Sequence, residues 1–237
     1  NILIIKYNHN NKEFNFMNKD AVIFDMDGVI FDTERIYLDI WKKIYPKHGY
    51  EMTLEFYLTL IGRDRKTCIK LLSDHFGNNF PGEKIFAECD EALKKAIDNG
   101  QVPMKTGALE IINYLKSNDY KIAIATSSPR HKLDMQLKIH SLQNIFDAII
   151  CADDVERSKP DPDIFLKAAK KLNKRPEQCI VIEDSPSGII AAYSAQMLPF
   201  HVEDLLAPTY EIIKYSNCQF KNLIEVKEYI YKHINAL

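Results

Sequence analysis

Short, unbroken apolar runs recur along the chain, a pattern typical of strands that are buried on both faces of a parallel sheet. Five such runs are present, at residues 21–24, 121–125, 148–151, 179–182 and 198–202. Amphipathic helical patterns alternate with them, at residues 108–116, 163–172 and 187–194. This alternation predicts right-handed βαβ units and therefore an α/β fold with a Rossmann-like, doubly wound parallel sheet.

A long interval between the first two runs has no convincing strand pattern. Its helical patterns lie at residues 34–45, 54–60, 66–76 and 83–97. We therefore expect a small α-helical cap domain at residues 33–99, inserted into an α/β core made of residues 17–32 and 100–237. Residues 99–103 (NGQVP) carry turn-forming types that suit a hinge.

The first sixteen residues are rich in asparagine and precede Met17, which lies just before the first apolar run. We expect Met17 to be the natural start of the protein. Residues 1–16 are then a leader that takes no part in its function.

Composition and charge narrow the class of protein. The chain has 237 residues, of which 46% are hydrophobic and 27% charged, close to ordinary globular values. Its 31 basic and 33 acidic residues give a net charge of −2, so bulk charge attracts neither nucleic acid nor anionic lipid.

The five cysteines form no CxxC pair, which argues against a disulfide framework and a zinc site. No apolar run approaches the ~20 residues of a membrane span. We expect a soluble, cytoplasmic protein without nucleic-acid or membrane partners.

Polar side chains follow four of the five predicted strands. In an open α/β sheet, ligands bind outside the carboxyl ends of the strands. The residues at or shortly beyond those ends are Asp25, Asp27, Thr126, Ser127, Lys159, Glu183 and Asp184. Carboxylates, hydroxyls and one ammonium group along one edge predict a site that handles phosphate.

Asp25 and Asp27 stand two positions apart, so their side chains are expected on one side, and Gly28 lets the chain turn sharply away. One carboxylate could attack an electrophile while the other moves protons, or both could hold a divalent cation. The structural alternative is a turn-forming Asp-Gly cluster. A calcium loop is excluded because its glycine would be the sixth residue, and Gly28 is the fourth.

Residues 183–186 (EDSP) also allow two interpretations. Ser185 can cap a helix whose first residue is Pro186. Capping leaves the adjacent Glu183 and Asp184 unexplained, whereas magnesium coordination would explain them.

Two further strand ends carry hydroxyls and a lysine. The hydroxyls of residues 126–128 could cap a helix that begins at Pro129, or help the helix start to hold a phosphate. Lys159 stands in residues 158–162 (SKPDP), whose prolines stiffen the loop. A lone lysine is normally a solvated surface group, so only its place beside the other strand ends favours a role in the site.

Four segments resemble, in order, the signature motifs of the haloacid dehalogenase (HAD) superfamily: residues 24–34 (FDMDGVIFDTE), 125–128 (ATSS), 158–162 (SKPDP) and 182–189 (IEDSPSGI). The resemblance extends from about residue 20 to the C-terminus. It is closest to the branch with a helical cap after the first motif, which includes β-phosphoglucomutase, 2-deoxyglucose-6-phosphate phosphatase and pseudouridine-5′-phosphatase.

The resemblance implies that Asp25 is the nucleophile, which forms an aspartyl-phosphate. Asp27 would protonate the leaving oxygen and then activate water. The implied cofactor is Mg²⁺, bound by Asp25, the main-chain carbonyl of Asp27 and Asp184, with Glu183 as a further ligand or as support for the others. The groups implied to hold phosphoryl oxygens are Thr126, Ser127 and Lys159. Dehalogenases of the superfamily attack carbon and typically lack the second aspartate, so Asp27 favours phosphoryl chemistry.

The cap is expected to close over the catalytic edge and to select the substrate. Arg65 resembles an arginine with which β-phosphoglucomutase binds a distal group of its substrate; the alternative is a polar helix start. Tyr37 stands where that enzyme has a histidine, and Ile61 where it has a lysine. Both differences count against a mutase.

Together these features predict a magnesium-dependent phosphatase acting on a small phosphate ester, either a sugar phosphate or a nucleoside-type monophosphate. The alternatives are a phosphosugar mutase, which would need a bisphosphate primer, and a catalytically idle binding module. The moving cap favours a monomer.

Overall fold

A computed structural model describes residues 19–61 and 65–234 of the chain. The leader at residues 1–16 and Met17 lie outside the described residues, as do residues 62–64 beside the predicted substrate arginine. The chain divides into two compact units: Asp32–Pro103, and the remainder on either side of it. Within the two described ranges, no helix is both long enough and apolar enough to span a membrane.

The larger unit contains a six-stranded sheet in which every neighbouring pair of strands is parallel. The strands are β1 Ala21–Phe24, β2 Lys121–Ala125, β3 Ala148–Ile150, β4 Cys179–Glu183, β5 Leu198–Val202 and β6 Cys218–Phe220. Their spatial order is β3-β2-β1-β4-β5-β6, with helices between successive strands. The predicted α/β fold class with a doubly wound parallel sheet is confirmed. Only β6 was not predicted, because its three residues, CQF, are too few to show a buried apolar run.

Ten α-helices lie in the described part of the chain: α1 Thr33–Ile44, α2 Leu54–Leu58, α3 Arg65–Phe76, α4 Gly82–Asp98, α5 Ala108–Ser117, α6 Arg130–Ile139, α7 Asp163–Lys171, α8 Pro186–Ser194, α9 Tyr210–Tyr215 and α10 Leu223–Ile234. The first four belong to the smaller unit, which contains no strand among its described residues. Its core is aromatic: Trp41 stacks on Tyr45 at 5.1 Å and meets Tyr57 and Phe86 edge to face.

The register of the central strands determines which residues meet at the carboxyl edge. Phe24 of β1 pairs with Ile124 of β2 on one side and with Ile182 of β4 on the other. The amide of Asp25 continues this ladder by donating to the Ile182 carbonyl at 2.9 Å. The three central strands therefore end level with one another, and the residue that follows each strand comes to the same edge.

Candidate active site

The turn after β1 brings the chain into contact with the residue that follows β4. Gly28 has φ +77°, a left-handed conformation that favours glycine. A Cβ at this position would lie 2.4 Å from Oδ2 of Asp184. Glycine is therefore required both by the turn and by the carboxylate that packs against it.

Lys159 links two carboxylates at the end of the sheet. Its Nζ donates to Oδ1 of Asp25 at 2.5 Å, to Oε1 of Glu183 at 2.8 Å and to the Ala125 carbonyl at 3.2 Å. The same ammonium lies 4.9 Å from the ring centroid of Phe165. The Lys159 side chain is only 5% exposed, so these contacts are shielded from solvent. Lys159, which the sequence alone marked weakly, is thus a buried member of the cluster.

Both carboxylate oxygens of Glu183 accept hydrogen bonds. Oε1 accepts from Lys159, and Oε2 accepts from the Ser185 amide at 2.6 Å and from its hydroxyl at 2.9 Å. A Cβ at Gly188 would lie 1.7 Å from Oε1, so α8 can approach Glu183 only because that residue is glycine. Ser185 also accepts from the Gly188 amide at 3.1 Å, and the helix begins at Pro186, as predicted.

Burial and neighbouring charges shift the protonation equilibria of this cluster. Burial raises the pKa of Asp25 to about 7; Lys159 opposes the rise and Glu183 adds to it. Burial lowers the pKa of Lys159, but Asp25 and Glu183 more than offset that effect, and the net pKa lies above its ordinary value. Lys159 therefore stays charged. A divalent cation next to Asp25 would favour its carboxylate form.

Three carboxylates form a group that fits a divalent cation. One oxygen each from Asp25, Glu183 and Asp184 lies within 4.8 Å of the other two. Carboxylate oxygens are the hard ligands that Mg²⁺ prefers. The close approach of Asp184 to Gly28 shows that this carboxylate is packed against the β1 turn. The residues present therefore fit a magnesium site.

The second aspartate lies in a separate set of contacts. Oδ2 of Asp27 accepts from the Ser128 hydroxyl at 2.6 Å, and Oδ1 accepts from Nζ of Lys132 at 2.9 Å. Lys132 also donates to the Ser128 hydroxyl at 3.1 Å. The sequence analysis missed both partners. No local signal marked Lys132, because α6 begins at Arg130 and Ser128 lies in the loop before it, so helical spacing does not relate the two residues.

Thr126 and Ser127 follow β2, as predicted. Thr126 is buried, its amide donates to the Ile150 carbonyl, and its hydroxyl accepts from the Ser128 amide at 3.0 Å. Ser127 is exposed. The expected capping differs: α6 begins at Arg130, and its first amide donates to Oδ2 of Asp153 at 2.7 Å. A distant aspartate thus performs the capping expected of the local hydroxyls.

Comparison with known proteins identifies the family. The sequence profile of the haloacid dehalogenase-like hydrolases matches residues 22–202. The chain belongs to this family. The resemblance of its four motifs to the HAD superfamily is confirmed.

Two curated relatives of this HAD hydrolase are phosphatases. Validoxylamine A 7'-phosphate phosphatase from Streptomyces hygroscopicus subsp. limoneus is 30% identical over 191 residues, which cover 80% of this chain and 87% of that protein. A phosphorylated carbohydrates phosphatase from Thermotoga maritima is 32% identical over 160 residues, 68% of this chain and 74% of that protein. Among solved structures, a putative β-phosphoglucomutase from Thermotoga maritima has a TM-score of 0.75 and 28% identity, with coverage of 90% and 99%.

The smaller unit of the hydrolase holds Arg65 in a network of its own. The guanidinium pairs with Glu83 at 3.2 Å and with Asp90 at 2.7 Å, and it lies 5.0 Å from the ring centroid of Phe86. Tyr37 donates to the other oxygen of Asp90 at 2.5 Å. Two carboxylates therefore already balance the charge of Arg65.

These residues border a cavity of about 250 Å³ within the smaller unit. Aromatic rings and acidic groups line much of it, among them Glu34, Trp41, Tyr57 and Asp90. The Tyr57 hydroxyl donates to Oε2 of Glu34 at 2.9 Å. Burial and the contact with Asp90 raise the pKa of Tyr37, so its hydroxyl stays protonated as a donor.

Proposed function

We propose that this hydrolase is a magnesium-dependent phosphatase of small phosphate esters that works through an aspartyl-phosphate on Asp25. The observation that carries the proposal is the contact of Asp25 with Lys159 in a buried cluster at the carboxyl edge of the sheet. Asp27 stands two residues further along, with its carboxylate in a different set of contacts. The arrangement supplies a nucleophile and a separate group for proton transfer.

In the first step, a carboxylate oxygen of Asp25 attacks phosphorus, and the bond from phosphorus to the ester oxygen breaks. That oxygen keeps the electron pair and takes a proton from Asp27, which enters this step as the carboxylic acid and leaves it as the carboxylate. In the second step, Asp27 takes a proton from a water molecule, whose oxygen attacks phosphorus; the bond from phosphorus to the Asp25 oxygen breaks, inorganic phosphate leaves, and Asp25 is again a carboxylate. The proposed ligands of the phosphoryl oxygens are Lys159, Thr126 and Ser127.

Asp25, the Asp27 carbonyl and Asp184 would hold the Mg²⁺. When bound, the cation reduces the repulsion between carboxylate and phosphate and stabilises charge on the phosphoryl group. Glu183 is proposed to support this site without binding the metal directly, because both of its oxygens already accept hydrogen bonds from Lys159 and Ser185. Its main effect is then to keep Lys159 beside the nucleophile.

A sugar phosphate or a similar polyhydroxylated ester is the substrate class best supported, with a nucleoside-type monophosphate next. Both phosphatase relatives act, by their names, on phosphorylated carbohydrates or on validoxylamine A 7'-phosphate. The acidic groups around the cavity, and the pairing of Arg65 with two carboxylates, disfavour a bisphosphate. An idle binding module would not need a buried lysine between two carboxylates.

A phosphosugar mutase is the second candidate, favoured by the likeness to the putative β-phosphoglucomutase. The two activities differ in what accepts the phosphoryl group. A phosphatase transfers it to water, whereas a mutase returns it to the sugar.

The test is phosphate release from hexose, pentose and nucleoside monophosphates, measured with Mg²⁺ or with chelator, beside an Asp25→Ala variant. If chelator and the Asp25→Ala substitution each abolish phosphate release, the proposal is supported, and the rates of release rank the substrates. Conversion of β-glucose 1-phosphate to glucose 6-phosphate, dependent on a bisphosphate primer and without phosphate release, would instead support the mutase. If circular dichroism shows that the protein is folded and neither activity is found, both the phosphatase and the mutase proposals are contradicted.

A further inference from the structure

The side chain of Asp27 is held at both of its oxygens. Ser128 donates to Oδ2 and Lys132 donates to Oδ1, and Lys132 also donates to Ser128. The three groups form a closed triangle with edges of 2.6, 2.9 and 3.1 Å. A carboxylate held at one oxygen can rotate about its terminal torsion, whereas one held at both oxygens has a defined plane.

The triangle lies where solvent screens it only partly. The side chains of Lys132 and Asp27 are 20% and 22% exposed. Lys132 stands on the first turn of α6, and Ser128 lies two residues before that helix begins, so the loop and the helix that follows it each supply one donor. The ammonium of Lys132 has no acceptor and cannot cap the amides at this helix start, where Asp153 accepts from the first amide at 2.7 Å.

We propose that Lys132 is a positioning residue for proton transfer: with Ser128, it fixes the plane of the Asp27 carboxyl group, which gives its proton to the leaving oxygen and takes one from water in the second step. This inference rests on the proposed function and adds to it a residue outside the four motifs. Lys132 itself touches neither phosphate nor metal in this assignment. Its effect reaches the reaction only through Asp27.

A positioning role and a general role of Lys132 in folding predict different effects on two kinds of substrate. When the leaving oxygen belongs to a sugar alcohol, it needs a proton as its bond to phosphorus breaks. When it belongs to 4-nitrophenol, the phenolate is stable enough to leave without one. Because kcat/KM covers steps up to the release of this first product, a misplaced Asp27 should lower kcat/KM for a sugar phosphate and largely spare 4-nitrophenyl phosphate.

The experiment compares Lys132→Met and Lys132→Gln with the conservative Lys132→Arg, using the best sugar phosphate of the panel and 4-nitrophenyl phosphate as substrates. Lys138→Met is the matched control, because Lys138 lies on the same helix and is exposed. General acid catalysis contributes ~10²–10⁴-fold, so partial misplacement should lower kcat/KM for the sugar phosphate by about 10- to 100-fold. Arginine should restore part of the loss, and Lys138→Met should lose nothing.

The two substrates keep the outcomes distinct. If wild-type protein hydrolyses both esters and the Lys132 variants lose activity equally on both, or on neither, the positioning role is wrong while the phosphatase stands. If wild-type protein hydrolyses neither ester with Mg²⁺, the proposed function fails and this inference fails with it. Retained activity on 4-nitrophenyl phosphate shows that a variant is folded, and Lys132→Gln provides a second test if Lys132→Met is insoluble.

Discussion

Replacing Gly28 by alanine should disable the proposed magnesium site with little general damage to the protein. The added Cβ would lie 2.4 Å from Oδ2 of Asp184 and 2.8 Å from its Cγ. Ordinary van der Waals contact begins at 3.4 Å, so the carboxylate would have to retreat by about 1 Å. Gly28 follows Asp25, the proposed nucleophile, by three residues, and moving the turn instead would displace Asp25.

The expected effect has two separable parts. A left-handed conformation costs a non-glycine residue about 1–2 kcal/mol, which should appear as lost stability. Mg²⁺ demands ligand distances of ~2.0–2.1 Å in a nearly ideal geometry. Misplacement by ~1 Å can cost ~10²-fold in rate. We therefore expect Gly28→Ala to lower phosphatase activity about 100-fold at limiting Mg²⁺ and to raise the Mg²⁺ concentration for half-maximal activity.

Gly49→Ala is the matched control for the backbone part. Gly49 has φ +80°, close to the +77° of Gly28, but a Cβ there would have no heavy atom within 4 Å. Urea unfolding should show a similar loss of stability in both variants. A Mg²⁺ titration of phosphate release should change only in Gly28→Ala. If the two variants titrate alike, Asp184 does not hold the metal as proposed.

Three further substitutions test the rest of the cluster and the smaller unit. Gly188→Ala would bring a Cβ to 1.7 Å from Glu183 Oε1 and displace that carboxylate from Lys159, so activity should fall about 100-fold; near wild-type kinetics would contradict the supporting role of Glu183. Lys159→Met leaves two buried carboxylates without their cation and should cost about 3–5 kcal/mol in urea unfolding, partly recovered by Mg²⁺. Lys121 forms a more exposed ion pair with Asp147, so Lys121→Met should lower the free energy of unfolding by less than ~1 kcal/mol. Equal losses in Lys159→Met and Lys121→Met would show that burial of the cluster is unimportant. Arg65→Ala should cost at most ~1 kcal/mol and leave KM unchanged, because two carboxylates already hold the half-exposed guanidinium; a KM raised tenfold with kcat unchanged would instead identify Arg65 as a substrate contact.

The larger part of the fold could be predicted because its signals are local. An unbroken apolar run indicates a strand buried on both faces, and the first polar residue after the run marks the carboxyl end of that strand. Asp25 and Glu183 were identified in this way, and the register of β1 with β4 brings them to one edge. Ser185 and Pro186 are also a local signal, since a cap depends on residues within one helical turn. β6 was not predicted, because its three residues with a central glutamine form no unbroken apolar run.

The contacts between side chains were decided only by the tertiary structure. Lys132 meets Asp27 across 105 positions of the chain, and Asp153 meets the amide of Arg130 across 23. Such pairs depend on the path of the loops and on the rotamers that packing allows. Hydrophobic periodicity predicts neither of these. From the sequence alone, five of the six strands, the order of their ends along the chain and the types of group at those ends could be predicted. The tertiary structure decided which oxygen each donor holds, because that choice follows from distances between segments far apart in the chain.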